Sequence, residues 1–364
     1  MKTQFLPLIA TLLAACGGAV PGSTQDFAQS APSYDQLALT ESDVEPSAAA
    51  PQDSSITQDA TVPSCHPHLF VRTHEIVGRM NRHFRKQLDH VQDLIAKSPT
   101  LASGETRTWE SVKDGVDRKL TMTRTANTDG SATFAFELDL KTTGDFTKVM
   151  SGSLTRSTAE TKGSATFDYS ALHAVIPAEK ATGQVTDTFD NLHDSATSGA
   201  KRTASLQLTA FLPEEGDPHG PRNATYSWER EPGVGGKLQF TDSLVLLCPD
   251  NPNNLVSDLT TVSRWYKTTA GAVHARSDTK ATGGQVPSGD TWQGVTCAQG
   301  PDSSQPAEGF WMMKLENAAG GTVVGHADTT GATPCDSALG AVPAVDNNAT
   351  DYDFSAAVTF PGEF

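Results

Sequence analysis

The hydrophobic pattern has a helical period near the start of the chain. Between residues 67 and 97, apolar side chains recur every three or four positions, at Leu69, Ile76, Met80, Phe84, Leu88, Val91 and Ile95. Such spacing is typical of one face of an amphipathic helix. Because the residue before a proline disfavours the α conformation, Ser98-Pro99 marks the end of the run. The pattern therefore predicts one helix over residues 67–97.

After Gly104 the hydrophobic period changes to two. Residues 131–140 carry Phe134, Phe136, Leu138 and Leu140 at alternate positions. Residues 116–125 precede them across the turn sequence ANTDG, so the two stretches predict a β-hairpin. Similar alternation recurs at residues 206–212, 238–240, 311–315 and 354–360, and residues 170–177 predict a short helical turn.

Together these patterns predict a mainly β fold with one N-terminal helix, an α+β arrangement. We expect a large curved or closed antiparallel sheet of roughly eight strands or more, with the helix packed on its apolar face. Residues 65–364 would form one mostly-β globular domain. Because glycine becomes more frequent and two cysteines appear after about residue 248, a second lobe from that point is the alternative.

The region before this domain has a different composition. Residues 17–64 contain seven acidic residues and neither lysine nor arginine, and serine, alanine, proline and glutamine dominate. Such a composition buries too little apolar surface to order itself. Residues 16–64 are therefore predicted to form a disordered acidic linker, with a root-mean-square reach of roughly 40 Å if fully flexible.

The first fifteen residues have the layout of a secretory signal. Lys2 precedes a short apolar run, residues 5–15, that ends in small residues before Cys16. Leu13-Ala14-Ala15-Cys16 resembles the lipobox of bacterial lipoproteins. The resemblance implies that residues 1–15 are removed, and that Cys16 receives a diacylglyceryl thioether and an acyl chain, such as palmitate, on its new amino group. Gly17, where aspartate would imply inner-membrane retention, then implies an outer-membrane location. The alternative is an ordinary signal peptide with an incidental cysteine.

Charge and cysteine content narrow the function further. The formal net charge is −16, which argues against a nucleic-acid binder because such proteins need a basic surface. If Cys16 carries lipid, four cysteines remain for an oxidising compartment. Among the three pairings we favour Cys65–Cys248 and Cys297–Cys335. In the alternative interpretation, one pair stays reduced and buried.

Candidate catalytic and metal-binding motifs are weak. Cys65, His66 and His68 place one thiol and two imidazoles within four residues, but Cys65 is better used in a disulfide, so His66 and His68 remain weak metal candidates. The sequence HEIVG begins like a zinc-protease motif, yet Gly78 stands where the second histidine is needed. We therefore predict neither a cofactor nor a catalytic residue.

The sequence thus favours an outer-membrane-anchored envelope lipoprotein with a non-enzymatic binding or structural role. Its partners would be the membrane, through the acyl chains on Cys16, and an envelope protein, a glycan or a lipid. The first alternative is a carrier that holds a lipid or another apolar ligand under the helix-capped sheet, which rests on analogy between folds. An envelope hydrolase without a recognisable motif is the third possibility.

Overall fold

The computed structural model describes most of the chain between residues 91 and 328. The described ranges are 91–192, 201–213, 220–231, 235–245, 257–268, 270–284, 286–300, 307–319, 322–328 and 336–339, with the single positions 27, 30, 73, 77, 78, 80, 81, 85 and 88. Over these residues the chain is mainly antiparallel β, as the two-residue hydrophobic period predicts.

Fifteen strands make up this part of the molecule. They are β1 (Leu101–Ser103), β2 (Thr106–Lys113), β3 (Val116–Ala126), β4 (Ala132–Lys141), β5 (Thr147–Arg156), β6 (Glu160–Asp168), β7 (Thr182–Leu192), β8 (Arg202–Leu212), β9 (Arg222–Glu231), β10 (Gly235–Val245), β11 (Ser257–Lys267), β12 (Val273–Thr282), β13 (Thr291–Gly300), β14 (Ala307–Glu316) and β15 (Thr322–Asp328).

The sheet is a meander in which every strand pairs with its sequence neighbours, in the order β1 to β15. The predicted hairpin is confirmed: β3 and β4 pair from Asp117↔Lys141 to Ala126↔Ala132. Its turn closes through a hydrogen bond from Asn127 N to Ser131 O at 2.9 Å, with Gly130 at a φ of 84°. Strands β10 and β11 pair directly, so the strands on both sides of residue 248 belong to one sheet.

One face of the sheet carries the hydrophobic core. The alternate positions Phe134, Phe136, Leu138 and Leu140 of β4 are all buried, as their spacing predicts. Apolar side chains from neighbouring strands continue this face, and the indoles of Trp109, Trp265 and Trp292 are fully buried in it. We call this the apolar face of the sheet and the opposite side the polar face.

The predicted helix over residues 67–97 falls largely outside the described residues. Those described within it are helical as far as Ile95, and the buried hydrophobic ones belong to the same core cluster: Val77, Met80, Leu88, Val91, Leu94 and Ile95. Just after this segment, Trp109 Nε1 donates a hydrogen bond to Lys97 O at 3.0 Å.

A second, short helix lies between β6 and β7. The predicted turn at residues 170–177 is confirmed as α1 (Tyr169–Val175). Asp168 caps it by accepting a hydrogen bond from Ala171 N at 2.9 Å, as a short acidic side chain does at a helix start. Its buried residues Tyr169, Leu172 and Val175 extend the core.

Phe27 lies in the predicted linker but is fully buried. Its ring packs edge-on against Phe134, with centroids 5.5 Å apart, and lies 6.4 Å from Trp109. The Arg107 guanidinium lies 4.9 Å from its centroid. Ser30 is also buried. At Phe27 and Ser30 the segment is therefore packed on the body, and the rest of residues 16–64 lies outside the described residues.

Strands β11 to β13 are buried on both faces over much of their length. On the apolar face, Ser263 Oγ lies 2.5 Å from Thr73 Oγ1 of the helical segment and 2.7 Å from Ser277 Oγ. On the polar face, Arg276 Nη2 lies 2.7 Å from Asp278 Oδ1, and both side chains of this pair are nearly inaccessible. This region is therefore enclosed, unlike the strands before it.

Residues 336–339 help to enclose this region of the sheet. Their 3-10 turn (Ser337–Leu339) places Leu339, fully buried, against Tyr266. Tyr266 Oη donates a short hydrogen bond to Asp336 Oδ2, and His274 Nδ1 lies 2.8 Å from the same oxygen. The rings of Tyr266 and His274 stack with centroids 5.1 Å apart.

Candidate binding groove

The polar face of the sheet owes its character to serine and threonine. In β7, β8 and β9 these residues occupy positions that alternate with buried core residues, as in the sequences TDTFD, TASLQ and TYSWE. Because successive side chains of a strand point to opposite faces, every second position of these strands is a polar side chain turned away from the core.

Strand register aligns these side chains in two rows across six strands. The hydroxyl row has one residue from each of β5 to β10: Ser153, Ser164, Thr188, Ser205, Ser227 and Gln239. The charged row lies two positions along each strand: Thr155, Lys162, Asp190, Thr203, Glu229 and Lys237. Each row spans about 24 Å, because neighbouring strands lie about 4.8 Å apart.

A cavity of about 680 Å³ lies over these two rows. All twelve of their residues line it, together with Gly163, Phe189, Ala204 and Trp228. The side chains of Phe189, Ala204 and Trp228 are buried on the other face of the sheet. We call this cavity the polar groove. Its volume is within the range of sites that hold small ligands or part of a larger one.

Hydroxyl groups of the groove form hydrogen bonds across strands, either with one another or with a hydroxyl of the adjacent strand β4. Thr188 Oγ1 and Ser205 Oγ lie 2.6 Å apart, and Thr155 Oγ1 lies 2.9 Å from Thr133 Oγ1. A hydroxyl offers one donor and two acceptor positions, so a group with one such bond can still contact a ligand. The polar groove is therefore a fixed array of donors and acceptors on rigid strands.

The charges of the charged row are mixed in sign. Lys162 Nζ lies 2.6 Å from Glu160 Oε2, and this bond raises the pKa of Lys162 and lowers that of Glu160. Lys201 Nζ lies 2.9 Å from Glu229 Oε1. Burial, and then the neighbouring Glu160 carboxylate, raise the pKa of Asp190.

Of the cysteines and histidines singled out by sequence, one is described. Cys297 is 5% exposed and disulfide-bonded. The rest lie outside the described residues: Cys16, Cys65, Cys248, Cys335, His66 and His68. Cys297 is paired in register with Arg276, two residues from His274, which contacts Asp336. Because Asp336 directly follows Cys335, this arrangement is consistent with a Cys297–Cys335 bond, which stays a prediction.

The described residues offer neither a metal cluster nor a helical membrane span. Within them, no three His, Cys, Asp or Glu side chains form a group that could hold a metal ion. No helix in the same part of the chain is long and apolar enough to cross a membrane.

The sequence alone did not reveal the polar groove. Its alternating serine and threonine are equally explained by the preference of β-branched and small polar residues for half-buried strands. A signal was available in the exposed-side positions of TDTFD, TASLQ and TYSWE, which repeat the same polar types on successive strands.

Comparison with known proteins gives no relative. No family model matches the chain, and neither a curated protein nor a solved structure matches it.

Proposed function

We propose that this protein is a lipid-anchored envelope protein that binds a partner without catalysis, through the polar groove. The observation that supports this is the alignment of twelve polar side chains from six consecutive strands along one cavity. Rigid strands hold their donors and acceptors in fixed positions, so a ligand meets a preorganised surface.

The anchor in this proposal is Cys16, acylated after removal of residues 1–15 and inserted in the outer membrane. Several acyl chains hold a protein in a bilayer far more firmly than one. The resemblance of Leu13-Ala14-Ala15-Cys16 to a lipobox supports this assignment. The acidic composition of residues 17–64 supports a linker that joins the anchor to the folded body, which the chain first contacts at Phe27 or at a later residue.

We further propose that the sheet is strongly curved and that residues 67–97 form one helix across its apolar face. Supporting this, the buried helical residues Val77, Leu88 and Leu94 share one core cluster with strand residues from β2 to β14. The contact between Thr73 and Ser263 supports a helix that reaches β11.

Membrane attachment is tested by fractionation of cells that express Cys16→Ser. We expect this variant to lose acyl labelling and to leave the membrane fraction, because serine cannot form the thioether. A variant that still partitions with the membrane would contradict the lipid anchor.

The binding role is tested by site-specific cross-linking in cells. A photoreactive amino acid at Ser227, exposed in the groove, should capture a partner, whereas the same group at Thr125, exposed on the polar face of β3, should not. Capture at both positions, or at neither, would contradict a binding role for the groove.

The alternative role, as a carrier of an apolar ligand, is tested by a separate experiment. Native mass spectrometry of Cys16→Ser protein should show a lipid-free mass if the polar groove is the binding site. Protein that copurifies with a stoichiometric lipid would favour the carrier instead. The protein used for this experiment should include Phe27, because the side chain of that residue is part of the core.

A further inference from the structure

The polar groove is long across the strands and narrow along them. Six strands contribute to each row, whereas the two rows are only two residues apart, about 7 Å along a strand. A compact ligand would contact a fraction of the twelve side chains. An extended chain that runs perpendicular to the strands would contact all of them.

The chemistry of the lining separates the classes of extended ligand. Seven of the twelve side chains are hydroxyls, and the others are one amide, two ammonium groups and two carboxylates. A lipid tail would desolvate these groups and offer no partner to those that lack one within the protein, each at a cost of about 1–3 kcal/mol. A ligand with many hydroxyls can instead donate to and accept from the same array.

A peptide fits the groove less well. Extended peptides gain most of their affinity by pairing their backbone with the free edge of a sheet, with side-chain pockets for specificity. The groove lies on the face of six interior strands, whose neighbours on both sides already pair with them. Its two rows contain no apolar side chain that could anchor a peptide.

The charge of the groove argues for a neutral ligand. The lining contains Lys162 and Lys237 with Asp190 and Glu229, so its formal charges cancel. Lys162 is already paired with Glu160. Sites for phosphate or carboxylate polymers instead carry clusters of arginine or lysine. The rest of the protein, with its formal charge of −16, would repel a polyanion.

We propose that the ligand of the polar groove is a neutral glycan chain that lies across strands β5 to β10. This inference rests on the proposed function and narrows it to one class of partner. The hydroxyl row would bond sugar hydroxyls along the chain, with Thr188 and Ser205 at its centre. The charged row would bond them as well, since both ammonium groups and carboxylates pair with hydroxyls.

The test is calorimetric titration with neutral hexasaccharides of several linkages. The probes are β-1,4-linked glucose, β-1,4-linked N-acetylglucosamine, β-1,3-linked glucose and α-1,6-linked glucose, with a hyaluronan hexasaccharide as the anionic probe. We expect at least one neutral hexasaccharide to bind at least tenfold more tightly than its own disaccharide and than the hyaluronan probe.

Matched variants show whether the groove is the site. Thr188→Phe fills the centre of the groove and should weaken binding at least tenfold, whereas Thr125→Phe adds the same bulk to the same face at β3 and should leave it unchanged. Thr188→Val and Thr203→Val, which remove hydroxyls with little change of shape, should weaken binding to a smaller extent.

Three outcomes would overturn the glycan assignment: no binding of any neutral hexasaccharide, preference for hyaluronan, or equal loss in the Thr125→Phe variant. The proposed function has its own readout. If Ser227 cross-links to an envelope protein while every glycan fails to bind, the binding role stands and the ligand class is wrong. If neither is observed, the binding role fails as well.

Discussion

Asp187 and Thr188 are consecutive residues of β7 whose side chains lie on opposite faces of the sheet. Thr188 Oγ1 lies 2.6 Å from Ser205 Oγ in the polar groove. Asp187 is 2% exposed on the apolar face, in register with Ala165 and Leu206, and its buried Oδ1 has no hydrogen-bond partner among the described residues. One peptide unit thus separates a hydrogen-bonded hydroxyl of the polar groove from a buried carboxyl whose Oδ1 is unpaired within the described part of the chain.

We expect Asp187 to destabilise the folded protein as the pH rises. Burial raises the pKa of Asp187 well above 3.8, so the folded state holds this proton more strongly than the unfolded state. Stability should therefore fall as pH increases from about 3.8 to the folded pKa and stay reduced above it. Asp187→Val should raise the free energy of unfolding at pH 7.5 by roughly 1–3 kcal/mol, the usual cost of a buried unsatisfied polar group. Urea unfolding across this pH range measures the effect.

Asp129 provides a control whose contribution to stability changes with pH in the opposite direction. Hydrogen bonds from Ser131 lower its pKa, so its contribution is present above pH 3.8 and is lost as pH falls through its folded pKa. Asp129→Asn should therefore remove stability at neutral pH and leave the Asp187 effect intact. A destabilised Asp187→Val variant would contradict the prediction.

Phe27 should be an anchor of the folded body. Truncation of a buried phenylalanine typically costs about 3–5 kcal/mol. We expect Phe27→Ala to lower the free energy of unfolding by about 3 kcal/mol, measured by urea titration with tryptophan fluorescence, because Trp109 lies beside the ring. Val112→Ala, at a side chain that is 68% exposed, should change stability by less than about 0.5 kcal/mol. Equal effects of the two variants would show that Phe27 does not anchor the segment.

The disulfide at Cys297 should stabilise the second half of the sheet. Cys297→Ser is expected to lower the free energy of unfolding by roughly 2–5 kcal/mol, since native bonds restrict the unfolded chain. Peptide mapping of the purified protein under non-reducing conditions should identify Cys335 as its partner and Cys65–Cys248 as the second bond. A Cys297 peptide joined to Cys65 or Cys248 would contradict this pairing. Reductant should destabilise the wild type more than Cys297→Ser.

Local patterns predicted part of the local structure. The hairpin of β3 and β4 follows from strict alternation around a turn sequence, and α1 follows from a short apolar cluster. Strands β11 to β13 were not identified, because both of their faces are buried. Small and polar residues such as Ser263 and Ser277 then occupy core positions, so the alternation that marks a half-buried strand is missing.

The groove and the Phe27 contact depend on distant residues. Each row of the groove takes one residue per strand, and a register slip of one residue would turn that residue to the opposite face. No local pattern fixes six registers at once. Phe27 stands in a segment whose average composition predicts disorder, and its contacts with Trp109 and Phe134 come from residues far along the chain.

Asp336 should hold residues 336–339 on the sheet in a pH-dependent manner. Burial alone would raise the pKa of Asp336, but hydrogen bonds from Tyr266 and Ala338, with the charge of His274, lower it. Its contribution is therefore present above pH 3.8 and is lost as pH falls through its folded pKa. Burial and the same hydrogen bond raise the pKa of Tyr266 from 10.0 to about 12, so that contribution is lost as pH rises through this interval.

Asp336→Asn should weaken both the loss of stability at low pH and the loss of stability between pH 10.0 and about 12. We expect the titration midpoint of Tyr266, followed by tyrosinate absorbance, to shift from about 12 toward 10.0, since the amide lacks the carboxylate charge. Comparison with Tyr266→Phe assigns the signal, and Asp145→Asn, on an exposed loop, should leave it unchanged. An unshifted midpoint in Asp336→Asn would mean that burial alone determines the Tyr266 pKa. The contact with Asp336 would then contribute nothing to docking residues 336–339, and Leu339 packing against Tyr266 would have to account for it.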